Sequence, residues 1–199
     1  MVLTAKNRQI SCATRPLAGQ LECGDRCGWW HSAERLVMAV ADGLGHGPQA
    51  AYAAEAAIAC IAARVERSFD EIFADCDARL RDTRGVALAV AVVEFATDRL
   101  LMASVGNIRA VLLDARRERH LGSARGIVGG GYARLTPEIH TLEPGDVLAL
   151  YSDGLDEFFA LRQTLEESAA SPEGSASSVL DSWARGNDDA AVLIYRHPG

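Results

Sequence analysis

Four aspartates in this chain stand in matching surroundings. Asp42 closes the apolar run LVMAVAD, and Asp153 closes VLALYSD. Asp25 lies in CGDRCGWW, and Asp188 precedes the apolar run of NDDAAVLIYR. Asp42 and Asp153 are each followed at once by glycine, in ADGLGHG and SDGLDE. Any one of them alone is explained as a cap or turn residue; four in matching contexts are harder to dismiss. Carboxylates gathered out of water repel one another unless something positive joins them. A divalent cation does this, and oxygen-only ligation selects magnesium or manganese over zinc. The glycine after each aspartate lets the backbone turn sharply. Gly43 can also offer its carbonyl to an ion, because no side chain blocks the approach.

A glycine-rich turn after a buried strand also suits a nucleotide. The details oppose that reading: GLGHGPQ is not G-x-G-x-x-G, and Asp42 would set a negative charge against a pyrophosphate. Cys23, Cys27 and His31 stand four apart, which raises zinc. The spacing matches no common zinc pattern, however, and no fourth ligand is evident. The five cysteines, an odd number without a secretion signal, read as reduced thiols, mostly buried.

The elements that must position these residues follow from periodicity. RQISCAT (8–14) and ERLVMAVA (34–41) read as strands, the second a nearly continuous apolar run as expected for a buried strand. An alanine-rich helix runs from Pro48 to roughly Phe69, with proline suited to its first turn, and FDEIFADCDARLRD continues as a second helix. Then come the β-type runs VALAVAVVEF, RLLMASVG and IRAVLLDA, separated by hairpin-like ATD and GN. EPGD turns into the buried strand VLALYS, and GLDEFFALRQTLEESA reads as a helix. Residues 168–178 read as a small, polar loop, SSVLDSWARG as a short helix and DDAAVLIYR as a closing strand. Strands and helices come in runs, so the class is α+β without a regular βαβ alternation.

A length of 199 residues fits one domain, 1–199, large enough to bury a core without staples. The net charge of -7 argues against nucleic acid or an anionic membrane as a general partner. Neither a signal peptide nor a run long enough to span a bilayer is evident, so a soluble, cytoplasmic protein is expected.

The ordered set Gly24-Asp25, ADGLGHG (41–47), SVGN (104–107), PGDVLALYSDGLDE (144–157) and NDDAAVLI (187–194) resembles the metal-dependent serine/threonine phosphatases of type 2C. Among them it is most similar to the small bacterial SpoIIE-like branch, and there to RsbX-type stressosome phosphatases. The resemblance extends over nearly the whole chain. It implies an α-β-β-α sandwich, two antiparallel sheets face to face with helices outside. It also implies hydrolysis of phosphoserine or phosphothreonine in a protein, assisted by two Mn2+ or Mg2+ ions. Carried over, Asp42 would bridge both ions and so hold the attacking hydroxide. Asp153 and Asp188 would complete one site, and Asp25 with the Gly43 carbonyl would serve the other. Phosphorylated STAS-domain proteins of a stressosome are the implied substrates. Two departures are noted: Ala191 occupies the place of a threonine common in the family, and no sensor or receiver domain is expected before the phosphatase.

Other residues carry weaker signals. His46 suits either a general acid for the leaving oxygen or a residue that shapes the turn before Pro48; the structural role is favoured. Arg15 and Arg26 are candidates to hold the phosphate, although surface arginine is abundant here. Ser11, Ser152 and the cysteines get no catalytic role. ARRERH (115–120) reads as a solvated hairpin tip and GIVGGGY (126–132) as a mobile loop. Two alternative functions remain: a non-catalytic binding module on the same fold, and a small-molecule phosphatase using the same site.

Overall fold

A computed structural model describes residues 9–156, 159–167 and 175–198. In chain order the elements are β1 (Gln9–Arg15), β2 (Asp25–His31), β3 (Arg35–Gly43), α1 (Pro48–Ala62), α2 (Phe69–Leu80), β4 (Val86–Glu94), β5 (Arg99–Val105) and β6 (Arg109–Leu113). There follow β7 (Glu118–Leu121), β8 (Gly126–Ile127), β9 (Gly131–Tyr132), β10 (Glu138–Thr141), β11 (Val147–Tyr151), α3 (Leu161–Glu167), α4 (Ser175–Trp183) and β12 (Ala190–Arg196).

Two five-stranded sheets carry the fold, ordered β1-β12-β11-β6-β7 and β10-β5-β4-β3-β2. Their strand pairs are all antiparallel. Leu36, Met38 and Val40 of β3 meet Leu148, Leu150, Leu193 and Tyr195 of the opposing sheet in the central core. The alternate residues Val37, Ala39 and Ala41 pack on α1 and α2, against Ile61, Phe73 and Leu80. A third core joins β11 and β12 to α4 through Tyr151, Val192, Val179 and Leu180. β3 is therefore buried on both faces, which is why its sequence runs apolar without alternation. The layers are helix, sheet, sheet, helix, as the resemblance implied.

Alanine is used where α1 must lie close to its sheet: Ala50, Ala53, Ala54 and Ala57 are all fully buried. α1 ends at Ala62, before the expected Phe69; turns follow, and Ser68, in an extended conformation, caps the start of α2. Ser68 and Glu71 form a reciprocal capping box there, which satisfies amides at the start of the new helix.

Other expectations need correction. GLDEFFALRQTLEESA is helical only over Leu161–Glu167 among its described residues; 157–158 and 168–169 lie outside them. Of the expected loop 168–178, residues 168–174 lie outside the described set, and Ser175–Ser178 already belong to α4. GIVGGGY is not a free loop. It forms the β8–β9 hairpin, pinned by paired bonds between Val86 and Val128 (3.0 Å each) and by Gly129 N–H to Asp77 Oδ1 (2.9 Å). ARRERH straddles the β6–β7 turn, whose amides at Arg116 and Arg117 are held by Asp114 Oδ1, and its last three residues enter β7.

Candidate active site

Asp25 opens β2 and Asp42 lies near the end of β3, and the two are direct cross-strand partners. Asp153 follows β11, and Asp188 precedes β12, which pairs with β11 in the other sheet. Each of the two sheets thus contributes two aspartates. Asp42, Asp153 and Asp188 line one open cavity of about 720 Å³, together with His46, Asn107, Arg125 and Asn187.

Burial and mutual repulsion act on these carboxylates. Asp25 is 1% exposed, and its pKa is pushed up to about 8, first by burial and then by Asp42. Asp42 is pushed up to about 7 by burial and by Asp153 and Asp188. Asp188 is also raised, by burial foremost. Asp189, buried behind them, accepts a bond from Leu17 N–H on Oδ1 (2.9 Å), while its Oδ2 has no partner among the described residues.

Such a group of carboxylates fits a hard divalent cation. Among the described residues no three His, Cys, Asp or Glu side chains converge tightly enough to hold an ion unaided. Magnesium-type sites need no such cage, since one or two carboxylates suffice and water completes the shell. The residues that had raised zinc are used otherwise: Cys23 donates to the Arg15 carbonyl, and His31 stands edge-on to Trp29.

The glycines after the two aspartates are required by close approach rather than by a left-handed turn; neither Gly43 nor Gly154 has a positive φ. A Cβ on Gly43 would lie 2.1 Å from the Ala50 carbonyl oxygen, so α1 can sit on β3 only if this residue is bare. A Cβ on Gly154 would lie 1.9 Å from the carbonyl oxygen of Asp189. The two motifs are thus where α1 meets β3 and where the Asp153 turn meets β12.

Two positioning residues were not foreseen. Ser152, fully buried, donates from Oγ to Asp25 Oδ2 (2.6 Å) and accepts from Ala191 N–H (2.9 Å). It ties the Asp25 carboxylate of one sheet to β12 of the other. Ala191 enters this network through its backbone, while its side chain lies in the central core. Asn107, in the SVGN stretch, donates from Nδ2 to Asp153 Oδ2 (2.8 Å).

The arginines expected at the phosphate lie elsewhere. Arg15 donates to the Leu180 carbonyl (2.7 Å) and pairs with Asp181 on α4. Arg26 donates to the carbonyls of Cys23 and Asp25. Neither lines the cavity, whereas Arg125 does. His46 is on the cavity wall and exposed.

The family model described as stage II sporulation protein E (SpoIIE) matches residues 32–198. The chain belongs to the SpoIIE family. Relatives of this SpoIIE-family chain agree with its geometry. It is 24% identical to phosphoserine phosphatase RsbX of Bacillus subtilis (strain 168), over 97% of this chain and 98% of that protein. A solved structure of RsbX in complex with magnesium superposes with a TM-score of 0.81 at 22% identity, covering 94% of each chain. A chain from a structure described as the bacterial stressosome, a modular system adapted to control secondary messenger signaling, has a TM-score of 0.91 at 30% identity. That match covers 96% of this chain and 100% of the other. A structure of the PP2C phosphatase domain with a fragment of the regulatory domain of SpoIIE from Bacillus subtilis has the same fold, with a TM-score of 0.74 at 17% identity over 94% of this chain and 63% of that one. The SpoIIE-family chain is a type 2C-like phosphatase. None of its helices among the described residues is long and apolar enough to cross a membrane.

Proposed function

We propose that this phosphatase removes phosphate from phosphoserine or phosphothreonine of proteins in bacterial stress signalling. Its substrates would be phosphorylated STAS-domain proteins of a stressosome, met in the cytoplasm, and one catalytic domain would occupy 1–199. The observation that carries the reading is the convergence of Asp25 and Asp42 from one sheet with Asp153 and Asp188 from the other, beside an open cavity. Likeness to RsbX supports the substrate class.

Two manganese or magnesium ions would be held by Asp42, Asp153, Asp188, Asp25 and the Gly43 carbonyl, the donor set that the resemblance implies. Bound there, such ions would supply Lewis acidity toward the phosphoryl group and would acidify water. The chain's residues do the rest. Ser152 holds the Asp25 carboxylate by a bond that favours its charged form. Asn107 fixes the orientation of Asp153. His46, on the cavity wall, is placed to meet the leaving serine oxygen. The openness of the cavity suits a phosphorylated segment of a folded protein.

Hydrolysis of an aryl phosphate and of a phosphorylated STAS-domain protein tests this, with manganese, with magnesium and after chelation. Turnover of both substrates that stops on chelation and returns with manganese is the expected result. Full activity after exhaustive chelation would falsify the metal-dependent reading.

A further inference from the structure

Arg125 stands where the expected phosphate-binding arginines do not. It lines the same cavity as Asp42, Asp153 and Asp188. Its side chain is exposed, and among the described residues its guanidinium has no hydrogen-bond or ion-pair partner. Arg15 and Arg26, by contrast, are occupied with α4 and with the loop before β2.

The backbone that carries Arg125 is held firmly. Its carbonyl accepts from Ala133 N–H (2.8 Å), closing the β8–β9 hairpin. The preceding Ala124 donates to the Ser104 carbonyl and accepts from Gly106 N–H, each at 2.9 Å. Gly106 adjoins Asn107, which holds Asp153. A short, rigid path therefore fixes the root of Arg125 relative to one of the site carboxylates, while the side chain stays free to reach a ligand.

The charge balance gives that freedom a use. The cavity wall carries three carboxylates, two amide side chains, His46 and one arginine. A phosphoserine monoester brings about -1.5 to -2 near neutral pH. A guanidinium matches phosphate oxygens with two parallel donors and is weakly hydrated, so it suits this task better than an ammonium.

Resting on the phosphatase reading, we propose that Arg125 binds the phosphoryl group of the substrate, at the wall of the cavity formed by the β8–β9 hairpin. The test uses the manganese-loaded full chain and its Arg125→Ala and Arg125→Lys variants. Inorganic phosphate is the probe, read as a competitive inhibitor of aryl phosphate hydrolysis and by calorimetric binding. Loss of a charge-assisted pair should weaken phosphate inhibition in Arg125→Ala about tenfold or more. KM for aryl phosphate should rise in parallel, and manganese affinity should stay at the parent value. Arg125→Lys should recover part of the loss, since it keeps the charge but not the fork.

A parent-like inhibition constant in Arg125→Ala overturns the proposal. It also falls if only the KM of an acidic phosphopeptide rises while phosphate inhibition is unchanged, for the guanidinium would then read the peptide. In both cases the parent still hydrolyses and the phosphatase reading stands. If the manganese-loaded parent neither hydrolyses aryl phosphate nor binds phosphate, both readings fall together.

Discussion

Asp25 and Asp42 face each other directly across β2 and β3, two carboxylates in register on adjacent strands. Like charges opposite one another in a sheet destabilise it. Here Asp25 is buried and Asp42 partly so, and both are held well above the usual carboxylate range. The metal-free fold therefore works against itself at this point.

That conflict has a pH signature. In the unfolded chain both groups lose their protons near 4, whereas in the metal-free fold Asp42 keeps its proton to about 7 and Asp25 to about 8. Between those limits the folded form binds more protons, so stability falls as pH rises, by at most ~1.4 kcal/mol per pH unit for each group. Urea denaturation of chelated protein from pH 5 to 8 should show the parent losing stability relative to Asp25→Asn. A constant difference between the two would refute the effect.

Metal stoichiometry separates the roles of Asp42 and Asp188. If Asp42 lies between two ions, Asp42→Asn weakens both, and activity is lost. Asp188→Asn should leave one ion bound, with activity partly restored at high manganese. Both variants should melt at or above the parent when chelated at pH 8, since each removes one charge from a repelling group. Two manganese ions bound by Asp42→Asn as tightly as by the parent would exclude the bridging role.

Ser152→Ala removes the hydroxyl that bonds Asp25 and leaves the buried Ala191 amide without its acceptor. The cost should be about 1–3 kcal/mol in urea. Asp25 also loses a bond that favours its charged form, so manganese binding at pH 7 should weaken as well. Stability and affinity both equal to the parent would show that the bridge between the sheets carries neither.

Glycine replacement distinguishes close approach from turn geometry. Gly43→Ala and Gly154→Ala each drive a methyl into a backbone oxygen, at 2.1 and 1.9 Å, and should cost more than ~3 kcal/mol or prevent folding. Gly186→Ala meets nothing within 4 Å, and Gly186 has no positive φ, so it should stay within about 0.5 kcal/mol of the parent. A well-folded Gly43→Ala would contradict the tight seat of α1 on β3.

The sequence by itself determined what depends on neighbours along the chain. β3, β4, β11 and β12 read as apolar runs because each has two buried faces, and Asp42, Asp153 and Asp188 are legible because they end or begin such runs. β2 was missed as a strand because it is an edge strand, broken by Gly28 and with mixed burial. β8 and β9 were missed because two residues carry no periodicity. The aspartates could be nominated singly, but the groups that orient them could not. Ser152 meets Asp25 across 127 positions, Asn107 meets Asp153 across 46, and Asp189 meets Leu17 across 172. Nothing local distinguishes Arg125 from Arg15, and only the packing of α4 on β1 and of the hairpin on β4 sends one to a helix and the other to the cavity. Spacing reports which backbone a segment adopts, because that is set by steric and solvation forces within a few residues. Which side chains share one cavity is set by how the two sheets face each other, and that is a property of the folded chain alone.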